Sequence, residues 1–526
     1  MRMINPTRRG FGTLMLGGSA YLLVGGCVRA LGEAAALPPG VGPVRRPAGW
    51  DDGLPRSAPE AQGVSSQRIL DFLRDVEGAG LELHSFMLMR GGHVVADGWW
   101  WPYQPHRIHM THSLTKSVTV VGVGLAIDEG RFGLDDKVAA FFPQHVPADA
   151  SANLRAMTVR DLLAMTTGHD RETSGSVWRP IKTSWVAEFF KIPVPHQPGT
   201  VFQYTSAASF MLSAIVTRTT GQAMADYLKP RFLEPMGIRK LSWDVGPEGI
   251  STGGNGLSWT TDASLKLGAL HAQKGKWNGR QLLSEQWVRA ATTRQSGNDE
   301  DDYGYQWWIG PGGAYFGLGL FCQFTIVFPE HDATLAIFAA IDGSSKIKPY
   351  IWKHFPAAFG RAPLTASTAA AELARRTAAL RLLPPLSGRR SPLEAKVSGR
   401  RFAMAPNDQA VSSVEFDFGG DEACTYRMAD ARGTHRIAAG LETYLEQATS
   451  MTGHRLHHEY EPEGMRVVAG AEWTAPDTLR MTWQFVESAF RDTVICRFAG
   501  DQVTIDRSVN LNSAETRLPT LSGRMA

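Results

Sequence analysis

Ser113 and Lys116 stand three residues apart in His112-Ser113-Leu114-Thr115-Lys116-Ser117. Val118, Val121, Leu125 and Ile127 continue at helical spacing, and Gly130 is a plausible cap. Residues three apart on a helix share a face, so the Lys116 amine can reach the Ser113 hydroxyl. A serine hydroxyl is a weak nucleophile until a base removes its proton. A lysine is that base only where burial or nearby positive charge favours the neutral amine. A helix start adds backbone N–H groups and positive potential for an oxyanion. The spacing alone is weak, since roughly two such matches arise by chance in a chain this long. A second match, Ser345-Lys346-Ile347-Lys348, follows Asp342-Gly343 with no long apolar helix after it and reads as a solvated turn.

Pro198-Gly199-Thr200-Val201-Phe202-Gln203-Tyr204-Thr205-Ser206 leads into Phe210-Met211-Leu212-Ser213-Ala214-Ile215-Val216. A tyrosine on a Pro-Gly-led loop before a buried helix is well placed as a second acid/base. It acts as a phenolate only beside a cation such as Lys116. Two other patterns carry less. Gly249-Ile250-Ser251-Thr252-Gly253 matches a nucleophile elbow, but neither a buried strand before it nor a helix straight after it is present, so it reads as a glycine-rich loop near the site. His106-x-x-His109 and His454-x-x-His457-His458 have no carboxylate or Cys at ligand spacing and read as surface or packing histidines.

The elements that must position these groups can be read in outline. Ile69, Leu70, Leu73 and Val76 predict a helix over 66–76. Phe86–Met89 and Val94–Ala96 flank Arg90-Gly91-Gly92-His93 as a hairpin. Residues 305–309, 322–328 and 334–341 read as strands, and 348–359 as a closing helix. Strands at both ends with helices between predict an α/β (α+β) fold, an antiparallel sheet with helices on both sides. Residues 365–383 are Ala-rich and helical. Beyond 400, strands at 414–418, 423–428, 478–486, 493–498 and 502–506 mark an all-β unit. The divisions expected are an export signal over 1–27, a tether over 28–55, a main domain over 56–362, a helical linker over 363–399 and a β-rich domain over 400–526.

Ser113-x-x-Lys116 followed by Tyr204-x-Ser206 resembles the penicillin-recognising serine hydrolases. The similar branch is that of class C β-lactamases, family VIII carboxylesterases and 6-aminohexanoate-dimer hydrolases. His84-Ser85-Phe86 with Arg90-Gly91-Gly92, residues 130–136, 157–163 with Thr166-Thr167-Gly168, 277–283 and 303–308 resemble the same family. The resemblance covers roughly 56–360. It implies a β-lactamase/transpeptidase-like core, Ser113 as nucleophile, Lys116 as its activator, Tyr204 exchanging protons with the leaving group, and the Ser113 N–H as an oxyanion donor. Two departures stand out. The second motif ends in Ser206 where the family often has Asn. Counting back from Pro329-Glu330 places Ala314-Tyr315-Phe316 where β-lactamases carry Lys-Thr-Gly. No cation stands there for a β-lactam carboxylate. Gly317 is then the candidate second oxyanion donor, and Tyr315, Phe316 and Ser206 the candidate substrate-binding residues.

These features imply a small-molecule ester or amide as substrate, with esters ahead of 6-aminohexanoate-type amides, and those ahead of D-amino-acid peptides or β-lactams. The remaining class is a non-enzymatic ligand-binding module on the same fold. No metal or organic cofactor is expected. Of 526 residues, 54 Lys+Arg against 51 Asp+Glu leave a net charge of +3, so no nucleic-acid footprint is present. Four cysteines exclude a disulfide scaffold, although Cys424 and Cys496 are candidates to pair in an oxidising compartment. Thr7-Arg8-Arg9-Gly10-Phe11, an uncharged stretch and Val24-Gly25-Gly26-Cys27 resemble a twin-arginine signal ending in a lipobox. Acylated Cys27 would then anchor the exported, periplasmic chain to a membrane.

Overall fold

The computed structural model describes residues 50–526, apart from 175–176, 300–301, 421, 459, 461 and the side chain of His454. The export signal, Cys27 and most of the tether lie outside the described residues. Among the described residues, no helix is long and apolar enough to cross a membrane.

The first sheet has eight strands, in the order His93–Trp99, Glu82–Arg90, Ala333–Ala340, Gln323–Phe328, Tyr315–Gly319, Trp308–Ile309, Asp302–Tyr303 and Ser296–Gly297. Every neighbouring pair is antiparallel. Its central strands are near-continuous apolar runs because both faces are covered. Side chains alternate between the faces. Phe86 and Leu88 join one core with Ile69, Phe72 and Leu73 of the helix Ser66–Gly78. Met87 and Met89 join the opposite core, with the helices Thr115–Asp128, Ser206–Thr220 and Thr261–Ala272. The fold is therefore an antiparallel sheet between helical layers, the α/β (α+β) architecture expected.

One expected strand is shorter than its sequence suggests. Of residues 305–309 only Trp308–Ile309 is extended. Gln306 takes φ +60°, which turns the chain, and its side chain is spent on buried bonds: Nε2 donates to Leu163 O at 2.9 Å and Oε1 accepts from Ser209 Oγ at 2.5 Å.

The second sheet has ten strands between Arg400 and Met525. Gly433–Gly440, at one edge of the strand order, also pairs through Gly440 with Gly470 of Met465–Ala475, and the sheet closes into a barrel. Buried and less buried residues alternate along Ala423–Asp430 and Arg491–Ala499, as a filled barrel requires. Phe416, Tyr426, Trp473 and Trp483 fill its interior. Cys424 and Cys496 lie in the same interior, and the question the spacing left open is answered by two unpaired, buried thiols. They sit on strands that are not sheet neighbours and pack as small apolar side chains, with burial raising both thiol pKa values.

Barrel and first sheet meet through polar contacts. Arg491 pairs with Glu82 at 2.7 Å, and Glu82 lies 3.1 Å from His84 Nε2. His84 Nδ1 lies 2.9 Å from His109 Nε2. The Tyr103 hydroxyl donates to Ser488 O and accepts from Gln484 Nε2, both at 2.7 Å. Inside the barrel, Asp492 is fully buried between His457 Nε2 at 2.7 Å and Arg507 Nε at 2.8 Å. Burial pushes its carboxyl pKa up, but His457 and Arg507 outweigh burial and hold it below the ordinary value. A depressed carboxylate pKa contributes stability above the unfolded value of about 3.9, and that stability is lost as the pH falls through the folded value. Asp492→Ala should cost about 3–5 kcal/mol in urea denaturation at pH 7, because it strands two buried partners. The difference from wild type should narrow towards pH 3.

Candidate active site

The chain reaches Ser113 along a heavily bonded path. His109–Met110 pairs with Trp259 and Ser258. The Met110 N–H donates to Glu487 O of the barrel at 2.8 Å. The Thr111 N–H and hydroxyl both donate to Leu257 O, at 2.9 and 2.6 Å. His112 then adopts φ +48°, a left-handed conformation that costs a non-glycine residue about 1–2 kcal/mol. This strain directly precedes Ser113. The buried bonds on either side hold it in place, among them the Thr115 hydroxyl donating to His112 O at 2.6 Å. The imidazole of His112 has its pKa held well below the ordinary range by burial and then by nearby His458 and Arg179, and its Nε2 has no hydrogen-bond partner.

Ser113 lies on the short turn His112–Leu114, which runs straight into the helix Thr115–Asp128. That helix is buried on nearly every side. Gly122 and Gly124 allow its close approach to Met224 and Trp287: a Cβ at either would come within 2.2 Å of the neighbouring side chain. The helix therefore cannot rotate, and Lys116 is fixed beneath Ser113.

The Lys116 side chain is almost wholly buried, at 2% exposure. Its Nζ lies 3.0 Å from Ser113 Oγ, 3.0 Å from Ser206 Oγ and 2.8 Å from Gly254 O. It also stands 4.7 Å above the ring centre of Tyr204. An ammonium has three hydrogens, and three oxygens receive them. When the amine is neutral, Gly254 O still only accepts, so the hydrogen directed at the Nζ lone pair must come from one of the two hydroxyls. The arrangement thus accommodates both forms of the lysine, and Ser113 O–H to Nζ is a proton path already in place.

Other elements hold each partner. Ser206 opens the helix Ser206–Thr220, and its N–H donates to Glu172 Oε2 at 2.7 Å. Tyr204 stacks on Trp308, with ring centres 5.3 Å apart, and meets Tyr303 edge-on at 6.1 Å. Gly254 belongs to the glycine-rich loop. Thr119 Oγ1 ties that loop to the Thr115–Asp128 helix by donating to Gly253 O at 2.8 Å. Gly253 and Gly254 pack so closely on the Ser206–Thr220 helix that a Cβ at either would clash with it. Ser251 is buried on the same loop, with Ala225 N–H donating to its hydroxyl at 3.4 Å. The sequence pointed to the loop, but the acceptor is a backbone carbonyl, which no residue type announces.

Tyr315–Gly319 runs beside the Ser113 turn. Gly317 touches Leu114 and Ser117, and it lies beyond Phe316, the last residue paired with Trp308–Ile309. The structure corrects the expectation for the two aromatic residues. Tyr315 is buried edge-on against Trp307, and strand alternation sends Phe316 to the opposite face, against Phe324 and Trp352.

A cavity of about 1140 Å³ adjoins the site, with Ser206 and Gly254 in its wall. Asp244 also lines it, and burial pushes its carboxyl pKa up to about 6 against the lowering effect of Arg179. The histidine patterns serve packing and polar contacts: His109 meets His84, His457 meets Asp492, and the Ser513 hydroxyl lies 2.7 Å from His458 Nδ1. Among the described residues, no group of three or more His, Cys, Asp or Glu side chains is placed to hold a metal ion.

A buried Ser-Lys pair at the start of a helix, beside an antiparallel sheet, defines a class of acyl-transferring serine enzymes. The Beta-lactamase family matches residues 74–353, more than half of the chain, and the chain belongs to that family of serine hydrolases. It is similar to Protein Rv1367c of Mycobacterium tuberculosis, 26% identical over 273 residues, or 42% of this chain and 67% of the relative. It is similar to a 6-aminohexanoate-dimer hydrolase of Paenarthrobacter ureafaciens, 25% identical over 48% of this chain and 71% of the relative. It is also similar to Esterase EstB of Burkholderia gladioli, 26% identical over 26% of this chain and 39% of the relative.

A Cβ at position 317 would fall 2.4 Å from Leu114 Cδ1 and 2.7 Å from Ser117 Oγ. Gly317→Ala should therefore cost about 1–3 kcal/mol in thermal unfolding. Because it pushes on the residue next to Ser113, it should also slow fluorophosphonate labelling by about 10–100-fold.

Proposed function

We propose that the protein hydrolyses carboxylic esters or linear amides through an acyl-Ser113 intermediate. The observation that carries this reading is the buried Lys116 amine 3.0 Å from the Ser113 hydroxyl, with Ser206 and Gly254 fixing its direction. Neutral Lys116 takes the hydroxyl proton as Ser113 Oγ bonds to the carbonyl carbon. The oxygen of the tetrahedral adduct gains the negative charge, next to the Ser113 N–H and the backbone edge at Gly317. The carbon–heteroatom bond then breaks. The proton held by Lys116 passes to the leaving group, and we assign its relay to Tyr204, whose ring centre lies 4.7 Å from Nζ. Water repeats the sequence: it gives a proton to the amine, attacks the acyl carbon and releases the acid and free Ser113.

Esters come first because an alkoxide leaves more easily than an unprotonated amine. The relative named an esterase supports that order, and the one named 6-aminohexanoate-dimer hydrolase supports linear amides as the second substrate class. The strand beside Ser113 supplies no cation for a β-lactam carboxylate, which favours both over β-lactams. The reading places the mature protein outside the cytoplasm on an acylated Cys27, and palmitate labelling that persists in Cys27→Ser would contradict that part.

The test is parallel hydrolysis of p-nitrophenyl butyrate, 6-aminohexanoate dimer and nitrocefin. Ser113→Ala should lower turnover of the preferred substrate by about 10³-fold or more. Ser206→Ala, which removes one of three partners of Lys116, should lower kcat by about 10–100-fold with KM little changed. Undiminished turnover in Ser113→Ala would end this reading.

A further inference from the structure

Resting on that reading, we propose that the C-terminal barrel supplies the outer wall of the substrate pocket through Tyr460, and that the pocket selects esters or amides with a bulky apolar group on one side of the scissile carbonyl. Ser206 and Gly254, the two residues besides Ser113 whose oxygens accept from Lys116, both line this cavity, so it adjoins the Ser113 site and a substituent on the reacting carbonyl is the group proposed to enter it. The volume, about 1140 Å³, exceeds what a short acyl chain or a small alcohol fills.

The wall is aromatic and rigid. Trp178, Trp185 and Phe210 pack on one another with ring centres 5.5–6.0 Å apart. Trp243 is fixed by its Nε1–H donating to Thr252 O at 2.8 Å. Of the charged residues in the wall, Lys182 and Glu463 are exposed, Asp244 is half-buried, and Arg179 is engaged by the barrel itself. Its Nη1 donates to His458 O at 2.7 Å, and its guanidinium lies over the Tyr460 ring at 5.5 Å. The Tyr460 N–H donates to His457 O at 3.0 Å, and His457 is held by fully buried Asp492. Tyr460 is thus tied both to the barrel core and to the residue that follows Trp178. Aromatic side chains bury large apolar area at small entropic cost, so such a wall favours a large apolar substituent over a small one.

The experiment uses the full-length enzyme with p-nitrophenyl acetate and octanoate, and with ethyl and 2-phenylethyl acetate, so that both sides of the carbonyl are sampled. Wild type should prefer the larger member of one series. Tyr460→Ala should raise KM for that member by about ten-fold, with kcat and the kinetics of the smaller member nearly unchanged. Tyr460→Trp, which narrows the pocket, should exclude the larger member and spare the smaller. Equal effects on both members, or none on either, would overturn the proposal, since a merely structural Tyr460 moves both together. If wild type cleaves no ester, calorimetric titration with octanamide and acetamide decides. Tighter binding of octanamide that Tyr460→Ala abolishes upholds the pocket, and equal binding by both proteins rejects it.

Discussion

A lysine amine in the interior must find oxygen partners for each of its hydrogens, and that demand shapes the site. The three oxygens around Lys116 come from a turn, a helix start and a glycine loop that are far apart in sequence. Each is held by a further bond, the first and last of them buried: Thr115 to His112 O, Glu172 to the Ser206 N–H, and Thr119 to Gly253 O. Gln306 ties the same region together, bonding Leu163 O and Ser209 through its side chain and receiving the Ser117 hydroxyl on its own carbonyl at 2.8 Å. The strain at His112 is affordable because these bonds over-determine the turn.

The barrel is bound into the same arrangement. Its Glu487 carbonyl satisfies Met110 three residues before Ser113, and its Arg491 completes the Glu82–His84–His109 chain under the first sheet. His458 stands 6.4 Å from His112, ring centre to ring centre. The unit beyond residue 400 is therefore joined to the catalytic layer through hydrogen bonds rather than through a hydrophobic seam alone.

Much of this was legible in the sequence for a local reason. Ser113 and Lys116 are three residues apart, and helix geometry then places them together whatever the rest of the chain does. The sheet strands were legible because burial on both faces makes them continuous apolar runs. What was hidden is long-range or carried by the backbone. Gly254 acts through a carbonyl. Gln306 looks like part of a strand but turns. Phe316 follows Tyr315 in sequence but faces the opposite way. In the barrel five of ten strands were missed: the short Arg400–Met404, Leu445–Thr449 and Leu521–Met525, and the longer pair Gly433–Gly440 and Met465–Ala475. Of the longer pair, Gly433–Gly440 is interrupted by Arg, His and Gly, and the apolar run of Met465–Ala475 is broken by Gly470 and Glu472. The environment around Cys424 and Cys496 could not be read from their spacing.

The contact between Met110 and Glu487 also bears on how the molecule comes into being. Residue 487 leaves the ribosome long after residue 110, and the Glu82–Arg491 and Tyr103–Ser488 contacts span 409 and 385 residues. Pairings over such separations form late and slowly, because the intervening chain must be ordered first. The serine turn therefore lacks its final backbone partner throughout synthesis of the catalytic layer. The nascent chain thus carries the Ser113 turn with this contact unmade until the barrel closes.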